Sequence, residues 1–316
     1  MLSSNTVVGM IIPQIECTIG IVLNAFIVAV NAMDWVKSRC LTSVDIILTC
    51  VGAFRFCLLW LFLLDTLFNE LTLECVNTLK YLNVTTAFWV FFDYAILWFM
   101  AWLAIIFCLN IVHYSNSLFI RIKQNISKMV PWFILGTVVS ASGTSIPFAW
   151  TYCNIHFRNS SIDSSWNSTM ESPTTNINVL YLFPTLCLLC LPPFSIICIS
   201  ALLLIKSLWF HTRRMKQSAE FFRNASLQPH FHAIKTILSF TVIYVCYVVA
   251  AILCLPGVMP PNGEGYLVLK MSVYVLPTVH SIVVINGNSK LKGTFTKLFH
   301  PLRCTTVNDT PERKLG

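Results

Sequence analysis

The sequence predicts an all-α membrane protein built as a bundle of seven transmembrane helices. Of its 316 residues, 56% are hydrophobic and only 11% are charged, which is more apolar side chain than a soluble domain of this size can bury. The apolar residues are gathered into long continuous runs, and a helix crosses a bilayer with about 20 such residues. The runs lack the period-two alternation that is typical of a transmembrane β-barrel.

The apolar runs define one seven-transmembrane domain over residues 1–300, followed by a short cytoplasmic tail over residues 301–316. The first run is too long for the core of a signal peptide, and no basic residue precedes it, so we expect it to be retained. The predicted spans cover residues 7–31, 44–66, 81–111, 128–151, 179–208, 233–259 and 266–287.

The distribution of Lys and Arg predicts an external N-terminus and a cytoplasmic C-terminus. Most basic residues lie in three alternate loops and the tail, whereas the remaining loops hold only Lys80 and Arg158. This orientation places the glycosylation sequons at Asn159 and Asn167 in an outer loop, on the side where that modification occurs. The net charge of +8 therefore indicates topology and contact with anionic membrane lipids. We expect no binding to nucleic acid, since there is no soluble basic domain.

The cysteines and histidines do not form the spacings of a metal site. The thirteen cysteines lie mostly within spans, and a disulfide between Cys75 and Cys153, which lie near the outer surface, is left open. The histidines lack HExxH spacing, and no GxGD-like pair or nucleophile constellation indicates an enzyme. We expect no catalytic residue, no metal and no cofactor.

Seven spans alone do not determine the function. Apart from a receptor, the main alternative is a multispan transporter or channel for small solutes. Such proteins often contain pseudo-repeated halves and paired intramembrane acids. Neither feature is visible in this sequence, so a receptor is favoured.

Five sequence blocks occur in a fixed order along the chain. They are Gly20 to Asn31 with Asp34-Trp-Val-Lys37, Phe107 to Tyr114-Ser-Asn116, Leu204-Ile-Lys-Ser-Leu208 with His211 and Met215, His230 to Phe240, and Pro277 to Lys292. This order resembles the type 2 taste receptors, the bitter taste receptor family of G-protein-coupled receptors. As in that family, no Asp-Arg-Tyr follows span three, and Arg55 stands where rhodopsin-like receptors carry an acid.

The resemblance implies that bitter small molecules enter a cavity between helices three, five, six and seven. Trp89 and Asp93 lie four residues apart, so they share one face of span three. The predicted ligand-binding residues are Trp89, Asp93, Tyr247, Lys270, Val273 and Tyr274. Asp93 either binds an amphipathic cation beside aromatic rings or pairs with Lys270. Both together would favour zwitterionic or mixed ligands.

Arg55 lies near the middle of span two, where a charge is costly and needs partners. We expect these partners to be Asn24 and groups on span seven such as Ser281 or Asn286. The predicted network of Asn24, Arg55, Ser281 and Asn286 is either purely structural or a two-state element of activation.

The resemblance also implies coupling to a heterotrimeric G protein with a gustducin-like α-subunit at the inner ends of the helices. The predicted coupling residues are His113, Tyr114, Arg121, Lys123, Ser207, Leu208, His211, Met215, His230 and Lys235. We expect a multi-pass protein of the plasma membrane. The agonists, the tissue, the particular family member and the assembly into a homo- or hetero-oligomer are left open.

Overall fold

Helices account for almost all of the described chain. The computed structural model describes residues 4–71, 75–111, 117–160, 179–217, 228–254, 259 and 264–299. Its helices are α1 (Ser4–Ser38), α2 (Ser43–Leu71), α3 (Cys75–Ile111), α4 (Ser117–Ser160), α5 (Val179–Gln217), α6 (Gln228–Leu253), α7 (Glu264–Gly287) and α8 (Ser289–Phe299). Each predicted span overlaps one of the first seven helices, which confirms the predicted all-α fold class.

Among the described residues, five helices contain an apolar stretch long enough to cross a membrane. These stretches are Ile11–Ser38, Ser43–Thr66, Val84–Asn110, Ile120–Ala149 and Cys190–Ser207. α6 and α7 contain the shorter apolar stretches Leu238–Leu253 and Met271–Gly287. Several helices extend beyond the predicted spans, most clearly α4, because hydropathy detects the apolar part of a helix and not its polar turns.

The core of the bundle is centred on α3, which packs against α2, α4, α5 and α6. Phe99 and Leu103 of α3 are fully buried. By contrast, α4 turns large apolar side chains outward, with Trp132 71% exposed and Ile146 64% exposed. An apolar surface of this kind suits a lipid environment, in which exposed apolar side chains have no hydration cost.

Gly20 allows α1 to approach α7 closely. A Cβ atom at this position would collide with the Thr278 hydroxyl and would lie 2.7 Å from a methyl group of Leu59. Thr278 also donates a hydrogen bond to the backbone oxygen of Glu16, at 3.3 Å. Small residues bring membrane helices into such contact, so Gly20 is required by packing and not by its backbone conformation.

α8 was not predicted, because its 11 residues lack the apolar run that identified the other helices. It begins after Asn288, whose side-chain oxygen accepts hydrogen bonds from the backbone N–H groups of Lys290 (3.0 Å) and Leu291 (3.3 Å). Such a cap satisfies the free N–H groups of a first helical turn. Phe295 then packs edge-on against Phe26 of α1, with ring centroids 5.5 Å apart.

A shared ion pair also ties α8 to α1 and α2. The ammonium of Lys290 lies 3.0 Å from Asp34 and 3.2 Å from Asp45. Asp45 exchanges two hydrogen bonds with Thr42, one from its backbone N–H and one to its carboxylate. The end of α1, the start of α2 and the start of α8 are therefore held together at one point.

Candidate functional site

A cavity that is partly open to solvent lies between the helices of the bundle. Five helices contribute to its wall, and most of the lining side chains are apolar. The lining residues are Arg55, Leu58, Asp93, Ile96, Leu97, Met100, Ile197, Phe240, Ile243, Tyr244, Tyr247, Leu276, Pro277 and His280. A mostly apolar cavity with a few polar groups is the usual form of a small-molecule site. α2 was not expected to contribute to this wall.

Arg55 reaches from α2 to α7, but its partners differ from those predicted. Its Nη1 donates a hydrogen bond to the backbone oxygen of Pro277 at 3.4 Å and contacts Nδ1 of His280. The expected pairing of Arg55 with Asn24 and with Ser281 or Asn286 is therefore wrong. The guanidinium is directed into the cavity, on the side of α7 that carries His280.

Asn24 and Ser281 instead form their own link between α1 and α7. The Ser281 hydroxyl donates to the side-chain oxygen of Asn24 at 3.0 Å, and the Asn24 amide donates to the backbone oxygen of Gly20 at 2.8 Å. Both residues are fully buried, whereas Asn286 is exposed. The predicted network thus divides into a link between α1 and α7 and a separate contact between α2 and α7.

His280 is held between a charged and an aromatic neighbour. Its ring stacks on Phe240 of α6, with centroids 4.2 Å apart and an interplanar angle of 25°. His280 is only 2% exposed, and its Nε2 has no hydrogen-bond partner among the described residues. A buried polar group left without a partner costs about 1–3 kcal/mol.

Asp93 and Tyr247, both predicted to bind ligand, do meet at the wall of the cavity. The Tyr247 hydroxyl interacts electrostatically with Asp93, but among the described residues it makes no hydrogen bond of ordinary geometry. Asp93 also interacts electrostatically with Arg55. The cavity therefore contains one anion and one cation on two neighbouring helices, α3 and α2.

Three other predicted ligand-binding residues, Trp89, Val273 and Tyr274, are not among the described lining residues. Trp89 is half-buried and packs against the core, and its indole N–H has no partner among the described residues. Tyr274 is buried edge-on against Phe62, with ring centroids 4.8 Å apart, and Val273 is half-buried. The Lys270 side chain is outside the described part of the structure, and so is the alternative pairing of Asp93 with Lys270.

Tyr244 lines the cavity although it was not among the predicted ligand-binding residues. It lies three residues before Tyr247 on α6, and this spacing places both on one helical face. Its hydroxyl donates to the backbone oxygen of Cys190 at 3.0 Å, and its ring stacks on Phe194, with centroids 5.4 Å apart. Tyr244 thus connects the cavity to α5.

Comparison with known proteins now assigns the chain to a family. The family model described as Taste receptor protein (TAS2R) matches residues 1–303. The chain belongs to the TAS2R taste receptor family. The recognition made from the ordered sequence blocks is thereby confirmed.

Individual taste receptors and one solved structure are consistent with this assignment. The chain is 32% identical to taste receptor type 2 member 7 of Macaca mulatta, over 90% of its own length and 89% of the relative's. Identity to taste receptor type 2 member 40 of Gallus gallus is 30%, with coverages of 92% and 94%. Squid rhodopsin superposes with a TM-score of 0.56 and 15% identity, covering 98% of this chain and 91% of the rhodopsin. This last likeness shows the fold alone.

Family and fold together identify the TAS2R chain as a membrane receptor of the G-protein-coupled type. Four residues predicted to couple it to a G protein can be placed in the structure. Arg121 and Lys235 are exposed, Ser207 is half-buried, and Lys123 donates to the backbone oxygen of Asn110 at 3.4 Å. These side chains are presented by α4, α5 and α6, the helices that flank the predicted second and third inner loops.

Several predictions for the TAS2R chain fall outside the described residues. Three of the residues, His113, Tyr114 and Asn167, lie in segments that are not described. Seven others lie in described helices, but their side chains are not described: Leu208, His211, Met215, His230, Asn159, Cys75 and Cys153. Coupling through them and glycosylation stay predictions, and the disulfide stays open.

Proposed function

We propose that this taste receptor detects bitter small molecules in the cavity between its helices and activates a heterotrimeric G protein from the plasma membrane. The observation that carries the proposal is the composition of the cavity wall. A largely apolar surface is interrupted by a carboxylate, Asp93, and a guanidinium, Arg55, in one cavity. Apolar area supplies affinity, while a few directed polar groups select among ligands.

The wall suits ligands that combine a ring system with polar groups. Leu97, Met100 and Ile197 offer apolar contact on one part of the lining, and Tyr244 and Tyr247 offer aromatic contact on another. Asp93 beside Tyr247 suits a cationic or hydrogen-bond-donating group of the ligand. The proposed ligand-binding set also includes residues that lie farther toward the outer ends of α3 and α7: Trp89, Val273, Tyr274 and Lys270.

The same lining offers a route from ligand binding to helix movement. Phe240 and His280 both line the cavity and stack on one another, so a ligand that contacts either residue changes how α6 packs against α7. A ligand shifts a receptor to its active arrangement only if it binds that arrangement more tightly. We propose that the active arrangement separates the inner ends of the helices.

The G protein is proposed to bind where those inner ends carry exposed basic residues. Arg121 of α4 and Lys235 of α6 are exposed on the described surface. Basic surfaces steer acidic partners toward them and also attract anionic lipids. A gustducin-like α-subunit is the proposed partner.

The experiment is a calcium assay in cells that express the receptor with a promiscuous G protein, screened against a library of bitter compounds. Agonists should evoke concentration-dependent calcium release, and Asp93→Asn should weaken the response to cationic agonists more than to neutral ones. Trp132→Ala, on the outward face of α4, is the control and should respond like the wild type. A receptor that reaches the cell surface but responds to no compound contradicts the proposal. Ligand-independent solute flux would instead indicate the transporter.

A further inference from the structure

The cavity wall contains a hydrogen-bond donor that nothing else in the described structure uses. Nε2 of His280 has no hydrogen-bond partner there, although the residue is only 2% exposed. The large majority of buried side-chain polar atoms in folded proteins have a partner, so an exception calls for an explanation. His280 lines the cavity between the helices, which is partly open to solvent. A molecule in that space can supply the missing partner.

Arg55 determines which nitrogen of the His280 ring carries the hydrogen. A guanidinium has N–H donors and no acceptor. Since Nη1 of Arg55 contacts Nδ1 of His280, Nδ1 must be the accepting nitrogen of a neutral ring. The hydrogen is therefore on Nε2, which makes Nε2 a donor.

Phe240 restricts the direction in which this donor points. The imidazole stacks on the Phe240 ring with centroids 4.2 Å apart, and Arg55 contacts its Nδ1 edge. With one face and one edge occupied, the ring cannot turn without losing one of these contacts. A donor whose direction is set before binding costs less entropy to use than a flexible one.

The charge of the lining decides which acceptor fits best. Arg55 and Asp93 are the two charged residues of the described wall, and together they are neutral. A carboxylate ligand would place a second anion in the same cavity as Asp93, where the two like charges would repel each other. An uncharged carbonyl accepts a hydrogen bond without adding a net charge.

We infer that His280 is a ligand-contacting residue that donates a hydrogen bond from Nε2 to the carbonyl oxygen of an uncharged agonist. Arg55 is a positioning residue, because it keeps the hydrogen on Nε2 without touching that oxygen. The favoured ligand class is that of lactones and cyclic ketones, whose rings pack against Leu97, Met100 and Ile197. This inference rests on the proposed function, since it assigns a ligand group to the same cavity.

The test uses the purified full-length receptor and follows its thermal unfolding. The probes are uncharged lactones and cyclic ketones, each paired with the analogue in which a methylene group replaces the carbonyl. Carbonyl compounds should stabilise the wild type, and their methylene analogues should bind about tenfold more weakly, the effect of one lost hydrogen bond.

His280→Asn separates the two roles of the imidazole. The shorter amide can still offer Arg55 an oxygen near the position of Nδ1, but no donor reaches the position of Nε2. The variant should unfold near the wild-type temperature without ligand and should lose the preference for carbonyl compounds. A purely structural role of His280 would leave that preference unchanged.

Two further variants make the result specific. Trp98→Phe removes another buried N–H that has no partner among the described residues. Trp98 is not among the described lining residues of the cavity, so the preference should remain. His280→Gln places an amide donor near the position of Nε2 and should retain the preference even where Arg55 loses its acceptor. It therefore decides the matter if the Asn variant fails to fold.

Three results would overturn the inference: no probe stabilises the wild type, the paired analogues bind equally, or folded His280→Asn keeps the preference. Its failure is distinguishable from that of the proposed function. Carbonyl-selective binding to the purified receptor without any calcium response in cells would sustain the inference and contradict the signalling role. Calcium responses without carbonyl selectivity would support the signalling role and contradict the inference about His280.

Discussion

Arg55 of α2 contacts the imidazole of His280 on α7, and across the same cavity it interacts electrostatically with the carboxylate of Asp93 on α3. Arg55 is only 7% exposed. Such an arrangement is stable only while each charge keeps its partner, because an isolated charge inside a bundle is costly. The pairing therefore leads to a prediction about stability as well as one about ligands.

Arg55→Met should destabilise the receptor by up to about 3 kcal/mol, because it removes the cation that interacts electrostatically with Asp93 in the cavity. Adding Asp93→Asn should restore part of this loss, since the double variant has no charge in the described lining. Thermal unfolding of the four proteins in a double-mutant cycle measures the coupling. Strictly additive effects would show that the two charges do not interact.

Ser281→Ala should destabilise the receptor by about 1–2 kcal/mol. It removes the hydrogen bond that joins α7 to Asn24 and leaves the Asn24 oxygen buried without that donor. Ser272→Ala is the matched control on the same helix, because among the described residues the Ser272 hydroxyl bonds only to the backbone oxygen of Val268. Equal losses of unfolding temperature for the two variants would contradict the proposed importance of the link between α1 and α7.

Sequence reasoning predicted the helices because hydropathy is a local property, and it predicted the family because the ordered blocks are read directly from the chain. It paired Arg55 with the wrong residues because the rotation of α2 about its axis decides whether the side chain turns toward Asn24 or His280. The hydropathy of the sequence contains no information about that rotation. α8 was missed for a related reason: its helix is set by the Asn288 cap and by packing of Phe295, and not by apolar length.

The same limit applies to the cavity. Asp93 and Tyr247 could be predicted to meet because both matched ligand positions of a family with a shared bundle. The contribution of α2 and the stacking of His280 on Phe240 depend on contacts between distant segments. Sequence spacing could at most have suggested Tyr244, which shares a helical face with Tyr247.

Gly20→Ala should destabilise the receptor, whereas Gly136→Ala should not. The added methyl group at residue 20 would collide with Thr278 and Leu59, and overpacking typically costs about 1–3 kcal/mol. A Cβ at residue 136 of α4 would meet nothing within 4 Å, and Ala favours a helix over Gly by about 1 kcal/mol. Unfolding temperatures of the two variants should therefore move in opposite directions. A stable Gly20→Ala protein would mean that α1 can move away from α7 at little cost.

Lys290→Met should loosen α8 from α1 and α2, because the ammonium bridges Asp34 and Asp45 and its removal leaves two carboxylates facing each other. The pairs are partly exposed, so we expect a loss of only about 1 kcal/mol, and the loss should shrink as salt is added. Lys292→Met, which removes an exposed lysine from the same helix, is the control and should have little effect. Hydrogen exchange of the α8 amides localises the change: exchange should quicken in Lys290→Met and not in Lys292→Met. Adding Asp34→Asn to Lys290→Met should slow the exchange of the α8 amides again, because it removes the repulsion between the two carboxylates. If exchange in the double variant is as fast as in Lys290→Met, the docking of α8 depends on Phe26 and Phe295 instead.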